Sequence, residues 1–246
     1  MKAKIYFVVL TVCLLSTSAC KDNRGNQPSP STANTARDSS HKTVLINGNM
    51  WFAENLTVSQ FRNGDPIAYA KSAEEWVKYA EQQLPAYAYC HFDSLNFSHS
   101  GKLYNWYAVD DSRKLAPQGW RIPSESDWRM LEKHCSATYI TVTDIEHPEN
   151  IRFGTDELAD SADWGYGKGT NKSGFKALPA DYLNDLGEFE FGTGWWTSTS
   201  YISRKEYGDQ ECENCAYCFT FSALGRDRHN VAPQGYGLYV RCIESE

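Results

Sequence analysis

The sequence predicts an α+β fold on three observations. Two helices with their own start signals lie in the first 135 residues. Short alternating strands broken by turn residues fill the last third, and no internal repeat links the two regions. Between them, Gly101 to Leu131 gathers Trp106, Trp120 and Trp128 with a strong helix start, so this stretch is expected to anchor one core.

Taken in order, Lys2 and Lys4 precede an apolar run, Ile5 to Leu15, too short to cross a bilayer and suited to an export signal. Ser16-Thr17-Ser18-Ala19-Cys20 resembles a lipobox, with Thr17 where leucine is usual, so residues 1–19 are expected to be cut away and Cys20 lipidated. Residues 20–41 hold no aromatic and no aliphatic larger than alanine. They cannot bury enough surface to fold and read as a tether. As a flexible coil it would span about 25 Å.

The folded part is expected over residues 42–246. Thr43 to Ile46 and Met50 to Phe52 flank Asn47-Gly48, a hairpin signal, and Asn63-Gly64 marks a second turn. Ser72 and Glu75 make a capping box for a helix that buries Trp76, Tyr79, Ala80 and Leu84 and stops at Pro85. Tyr87 to Phe92 reads as extended. Ser124 and Asp127 cap a second helix that buries Trp128, Leu131 and Cys135. Residues 138–174, acidic and poor in apolar groups, read as a long surface loop. Strands follow at Phe175 to Tyr182 and Glu188 to Phe191, then from Trp195-Trp196 and along Tyr217 to Phe221. The last strand has Leu238, Val240 and Cys242 on one side, with Tyr239, Arg241 and Ile243 on the other.

Composition excludes some classes. The formal charge is −7, and losing Lys2 and Lys4 with the signal makes it about −9, without the Lys and Arg clusters that nucleic acid demands. Any membrane link therefore rests on the lipid. Apart from Cys13 and Cys20, six cysteines remain: Cys90, Cys135, Cys212, Cys215, Cys218 and Cys242. In an exported chain they are disulfide candidates of open connectivity. Cys212, Cys215 and Cys218 lack a fourth ligand at matching spacing, which favours disulfide over metal. Asp156, Glu157, Asp160 and Asp163 could face calcium but show no loop pattern for it and read as a solvated acidic face. The histidines are scattered, Ser198 and Ser200 lack a partner base, and Arg226 to His229 reads as a charged loop; no metal or cofactor is expected.

LYNWYAV, LAPQGWRIPSESDW, SGFKALPA, WWTSTS and the terminal YVRC resemble the Fibrobacter succinogenes major paralogous domain, from about Val44 to Ile243. That family is related to the C-type lectin-like and formylglycine-generating-enzyme (sulfatase-modifying-factor-like) folds. The resemblance implies such a scaffold with two main helices, short antiparallel strands and long loops, in a lipoprotein of Bacteroidetes type. It also implies a pairing of Cys90 with Cys242. In the oxidase relatives a cysteine pair before an aromatic strand binds copper. Here Cys212 or Cys215 with Cys218 sits similarly, but the spacing differs, Thr-Phe-Ser replaces Arg-Tyr-Arg, and acidic residues would disfavour a thiolate.

The calcium motifs of C-type lectins are also missing: Ala-Pro-Gln stands at 232 to 234 and Trp-Trp-Thr at 195 to 197. Sugar binding would then use aromatic stacking, with Trp164, Tyr166, Trp195, Trp196, Tyr201, Tyr207 and Tyr236 as the candidate platform. The expectation is a non-enzymatic binding or adhesion module, lipid-anchored at the outer membrane, the cell surface or the periplasmic face, with a glycan or protein ligand. A copper- and thiol-dependent oxidase and a structural subunit of a surface assembly are the alternatives.

Overall fold

The computed structural model describes residues 40–135, 157–160, 169–201, 212–221 and 228–245. All of these fall in one of the chain's two units, Thr35–Glu246. The other unit, Met1–Asn34, with the export signal, Cys20 and most of the tether, lies outside the described residues.

Asn47 and Gly48 both take positive φ, 49° and 79°, and close the two-residue hairpin between β1 (Thr43–Ile46) and β2 (Asn49–Phe52). The chain's last strand, β12 (Ile243–Glu244), pairs with β2 and with β6 (Trp120–Arg121), so both ends of the domain share one sheet ordered β1-β2-β12-β6. A second sheet joins β3 (Ala68–Tyr69), β4 (Ala86–Ala88) and β5 (Leu103–Tyr104). A third is ordered β11-β10-β9, from β9 (Thr193–Ser200), β10 (Cys215–Phe221) and β11 (Arg228–Pro233). The strands β7 (Asp181–Leu183) and β8 (Phe189–Phe191) form a separate hairpin. Among the described residues, these strands pair antiparallel except β3 with β4.

Among the described residues, four short α-helices lie between the strands: α1 (Ala73–Glu81), α2 (Ser94–Phe97), α3 (Trp106–Val109) and α4 (Glu125–Cys135). In α1, Ser72 Oγ accepts from the Glu75 amide, while the Glu75 carboxylate accepts from the Lys71 amide rather than from Ser72. Gln83 takes φ 54°, and the Leu84 amide bonds back to the Tyr79 carbonyl, a left-handed stop that turns Leu84 outward. The expected burial of Leu84 is therefore corrected: it is 43% exposed, and Trp76 is the fully buried member of the stripe.

The α4 start matches its expectation. Asp127 N–H donates to Ser124 Oγ at 3.2 Å and Ser124 N–H to Asp127 Oδ2 at 2.7 Å, and the Arg121 fork donates to both Asp127 oxygens at 2.6 and 3.0 Å. Burial pushes the Asp127 carboxyl up, but Arg121 and Ser124 together hold it below the usual carboxylate range. A carboxyl depressed on folding contributes stability above its unfolded pKa and loses it as pH falls through the folded one. Asp127→Asn is therefore expected to cost about 2 kcal/mol at neutral pH. The deficit should shrink below pH ~4, as urea titrations at both pH values would read.

Among the described residues, two hydrophobic clusters fill the interior, and residues 238–243 run between them with the expected alternation. Leu238, Val240 and Cys242 enter one cluster; Tyr239 and Ile243 enter the other, and Arg241 reaches the backbone of Phe175 on that same side. The Gly101–Leu131 stretch feeds both clusters, through Leu103, Trp128 and Leu131 on one side and Tyr104, Trp106 and Trp120 on the other. Every described tryptophan is buried. Four of their indole N–H groups are satisfied: Trp76 by Asn184 O, Trp106 by Thr197 O, Trp195 by Asn55 Oδ1 and Trp196 by Tyr104 O.

Three further expectations are corrected. Tyr87 to Phe92 is not one extended run but β4 followed by a 3-10 turn at Cys90–Phe92. The strand expected from Phe175 begins only at Asp181, because side chains occupy the carbonyls before it: Arg241 takes those of Phe175 and Lys176, and Thr193 that of Leu178. Arg228 and His229, expected in a loop, open β11 opposite β10.

Candidate functional site

Among the described residues, two tyrosine clusters reach the surface. In the first, Tyr69 and Tyr87 are neighbours across the parallel β3–β4 pair, and their rings stack at 5.0 Å. Tyr89 sets its edge against both. The Lys102 ammonium lies 4.0 Å over the Tyr87 ring and 5.6 Å from that of Tyr89. Lys102 is only 4% exposed, and burial pulls its pKa down to about 8. The protein's own cation thus occupies this aromatic surface.

The second cluster is built on the β7–β8 hairpin. Tyr182 and Glu190 face one another in register, and the Tyr182 hydroxyl donates to Glu190 Oε2 at 2.5 Å while Asn184 Nδ2 donates to Oε1 at 3.0 Å. Tyr236, in the turn after β11, stacks on Tyr182 at 6.2 Å with 19° between the rings. Gly235 lets this turn lie close to α1 and the β7–β8 connection, since a Cβ there would meet those of Ala80 at 3.0 Å and Asp185 at 3.2 Å. Burial, then the Asp185 and Glu190 carboxylates, raise the Tyr236 pKa; burial, then Asp185, raise that of Tyr107. Three half-buried phenols with two carboxylates offer flat apolar rings beside strong hydrogen-bond acceptors.

Of the expected platform, Tyr236 stands in this patch. Tyr201 is half-buried, edge-on to Tyr217 at 5.4 Å. Trp195 and Trp196 are corrected: both are 0% exposed, because β9 lies between the two clusters and buries both of its faces there. Trp164, Tyr166 and Tyr207 lie outside the described residues, as do Asp156, Asp163, Arg226 and Asp227. The patch residues missed from sequence are Tyr107, Tyr182, Asp185 and Glu190. The strands expected at Phe175 to Tyr182 and Glu188 to Phe191 carried Tyr182 and Glu190, but nothing in the sequence set them beside Tyr236.

Cys212 and Cys215 form a disulfide. The other four candidates, Cys90, Cys135, Cys218 and Cys242, are free and buried, which corrects the Cys90–Cys242 pairing. The physical reason is the alternation of residues 238–243: Cys90 packs at Tyr239, whereas Cys242 points into the opposite cluster. Burial pushes the Cys135 thiol up to about 11 and that of Cys218 up to about 12, so both stay protonated at neutral pH.

A third group joins residues far apart in sequence. Cys90 Sγ, His91 and the Asp181 carboxylate present donor atoms within 4.8 Å of one another, and His91 Nε2 is 3.0 Å from Asp181 Oδ2. Cys90-His91 is adjacent in sequence, but nothing in the sequence marks Asp181 as its partner.

The family model described as the Fibrobacter succinogenes major domain matches residues 44–244, from within β1 to the end of β12. No curated protein and no solved structure matches the chain.

Proposed function

This chain belongs to the Fibrobacter succinogenes major domain family, and on that premise we propose that it is a non-enzymatic binding module of a surface lipoprotein, on a C-type-lectin-like scaffold, that takes a glycan without calcium. The reading rests on the Tyr107, Tyr182 and Tyr236 patch with Asp185 and Glu190 beside it. A pyranose ring buries its apolar face on a phenol and donates its hydroxyls to carboxylates. The patch's negative charge favours neutral or amine-bearing sugars over uronic or sialic acids. Acyl chains on Cys20 would hold the domain to the membrane, and mass spectrometry of the mature N-terminus checks them.

The mature chain on an array of neutral, basic and acidic glycans is expected to retain members of the first two classes. Tyr236→Ala should weaken the retained ligand about tenfold, the equivalent of roughly 1.4 kcal/mol. Silence across the array together with self-assembly of the chain would replace this reading with a structural subunit.

A further inference from the structure

We propose that Cys90, His91 and Asp181 are the protein ligands of a zinc site that ties the 3-10 turn after β4 to the β7–β8 hairpin. A tetrahedral zinc site places sulfur about 2.3 Å and nitrogen or oxygen about 2.0–2.2 Å from the ion, hence neighbouring ligand atoms about 3.3–3.6 Å apart. The three donors here, within 4.8 Å of one another with the His91 to Asp181 distance at 3.0 Å, reach that arrangement by small side-chain adjustments. One thiolate, one imidazole and one carboxylate suit zinc better than calcium or magnesium, which prefer all-oxygen shells.

The surroundings of the three donors point the same way. Tyr239 is fully buried, its hydroxyl lies against the Cys90 thiol, and it has no hydrogen bond of ordinary geometry among the described residues. A buried hydroxyl without a partner is costly; a water or hydroxide in the fourth zinc position would satisfy it. The backbone N–H groups of Asp181 and His91 are directed at the Cys90 sulfur, as donors that stabilise a bound thiolate. The His91 ring is held between Phe97 at 5.1 Å and Phe189 at 4.7 Å, which fixes the direction of Nε2. Binding exchanges the Cys90 thiol proton, released to solvent, for a sulfur–zinc bond and changes no oxidation state.

The site is independent of the glycan patch, although Asp181 adjoins Tyr182 in β7. It is tested on the full exported chain with its disulfide intact, stripped of metal and titrated first with cobalt(II), then with zinc. The expected result is one equivalent of cobalt taken up with a thiolate-to-cobalt charge-transfer band that zinc abolishes. Asp181→Asn and His91→Gln should each weaken uptake by at least ~10-fold, and His134→Ala, exposed on α4, should leave it unchanged. Cys90→Ser should remove the charge-transfer band; if that variant does not fold, the Asp181 and His91 variants carry the test, because both side chains are partly exposed. Uptake without a thiolate band, or equal affinity in Asp181→Asn and the parent, would overturn the proposal and leave an ion pair beside a protonated thiol.

Discussion

Arg241→Met is expected to destabilise the domain by about 3–5 kcal/mol, measured as a lower urea midpoint at unchanged slope. Arg241 is 1% exposed, yet among the described residues its guanidinium donates to neutral oxygens rather than to a carboxylate. Its Nε donates to Asn55 Oδ1 at 2.6 Å, one terminal nitrogen to the carbonyls of Phe52 and Phe175 at 3.0 and 2.6 Å, and the other to that of Lys176 at 3.1 Å. The Phe175 ring lies 4.4 Å from the guanidinium carbon. Burial lowers the guanidinium pKa, but these donors meet acceptors in a planar fork that only the charged group offers.

Replacing a buried ion pair by apolar residues can be neutral when both partners go. Here three of the four acceptors are backbone carbonyls that no substitution removes, so methionine fills the volume and strands them. Arg241→Lys should recover little, since one ammonium cannot reach four acceptors set for a fork. A methionine variant within 1 kcal/mol of the parent would mean that water re-enters and satisfies these carbonyls.

Local signals in the sequence proved sufficient for local structure. Asn47-Gly48 specified its hairpin, and the Ser124–Asp127 box specified the α4 start down to its reciprocal bonds. The alternation of residues 238–243 sorted their side chains between the two clusters. Failures came where distant groups decide. Leu84 carries the right spacing for burial, but the left-handed turn at Gln83 diverts it. Arg228 and His229 look like loop residues until β10 offers them a partner strand.

The residues of the proposed patch were less legible because alternation cannot distinguish a strand with one wet face from a strand buried on both. Trp195-Trp196 fits either case, and β9 turned out to be the second. Tyr236, expected in an aromatic platform, lies in the turn after β11 and stacks on Tyr182. Its partners Tyr182 and Glu190 depend on how the β7–β8 hairpin meets that turn, through the Leu183–Gly237 bridge. The Cys90, His91 and Asp181 group is closed by the same packing. Its sequence separation hides it from any local pattern.

Gly101→Ala is expected to cost about 3–5 kcal/mol, and its partner Asn55 shows why. Gly101 takes φ 89° and ψ −167°, a conformation almost confined to glycine. A Cβ there would also lie 2.6 Å from Asn55 Cβ and 3.3 Å from the Leu56 carbonyl, atoms at or next to the backbone that cannot rotate away. Asn55 is the hub of the buried polar network: its Oδ1 accepts from both Trp195 and Arg241, and its Nδ2 donates to the Ser100 carbonyl. The added methyl therefore acts twice, by straining its own backbone and by pushing Asn55 off the groups that depend on it.

Asn55→Ala separates these two effects. It keeps the Cβ that clashes but gives up the amide, so in that background Gly101→Ala can disturb only geometry. The double variant should be more stable than the sum of the single costs implies, by about 0.5–3 kcal/mol, in paired denaturant titrations. Strict additivity would confine the penalty to the backbone of Gly101, and the network around Arg241 would then stand on contacts that do not pass through Asn55.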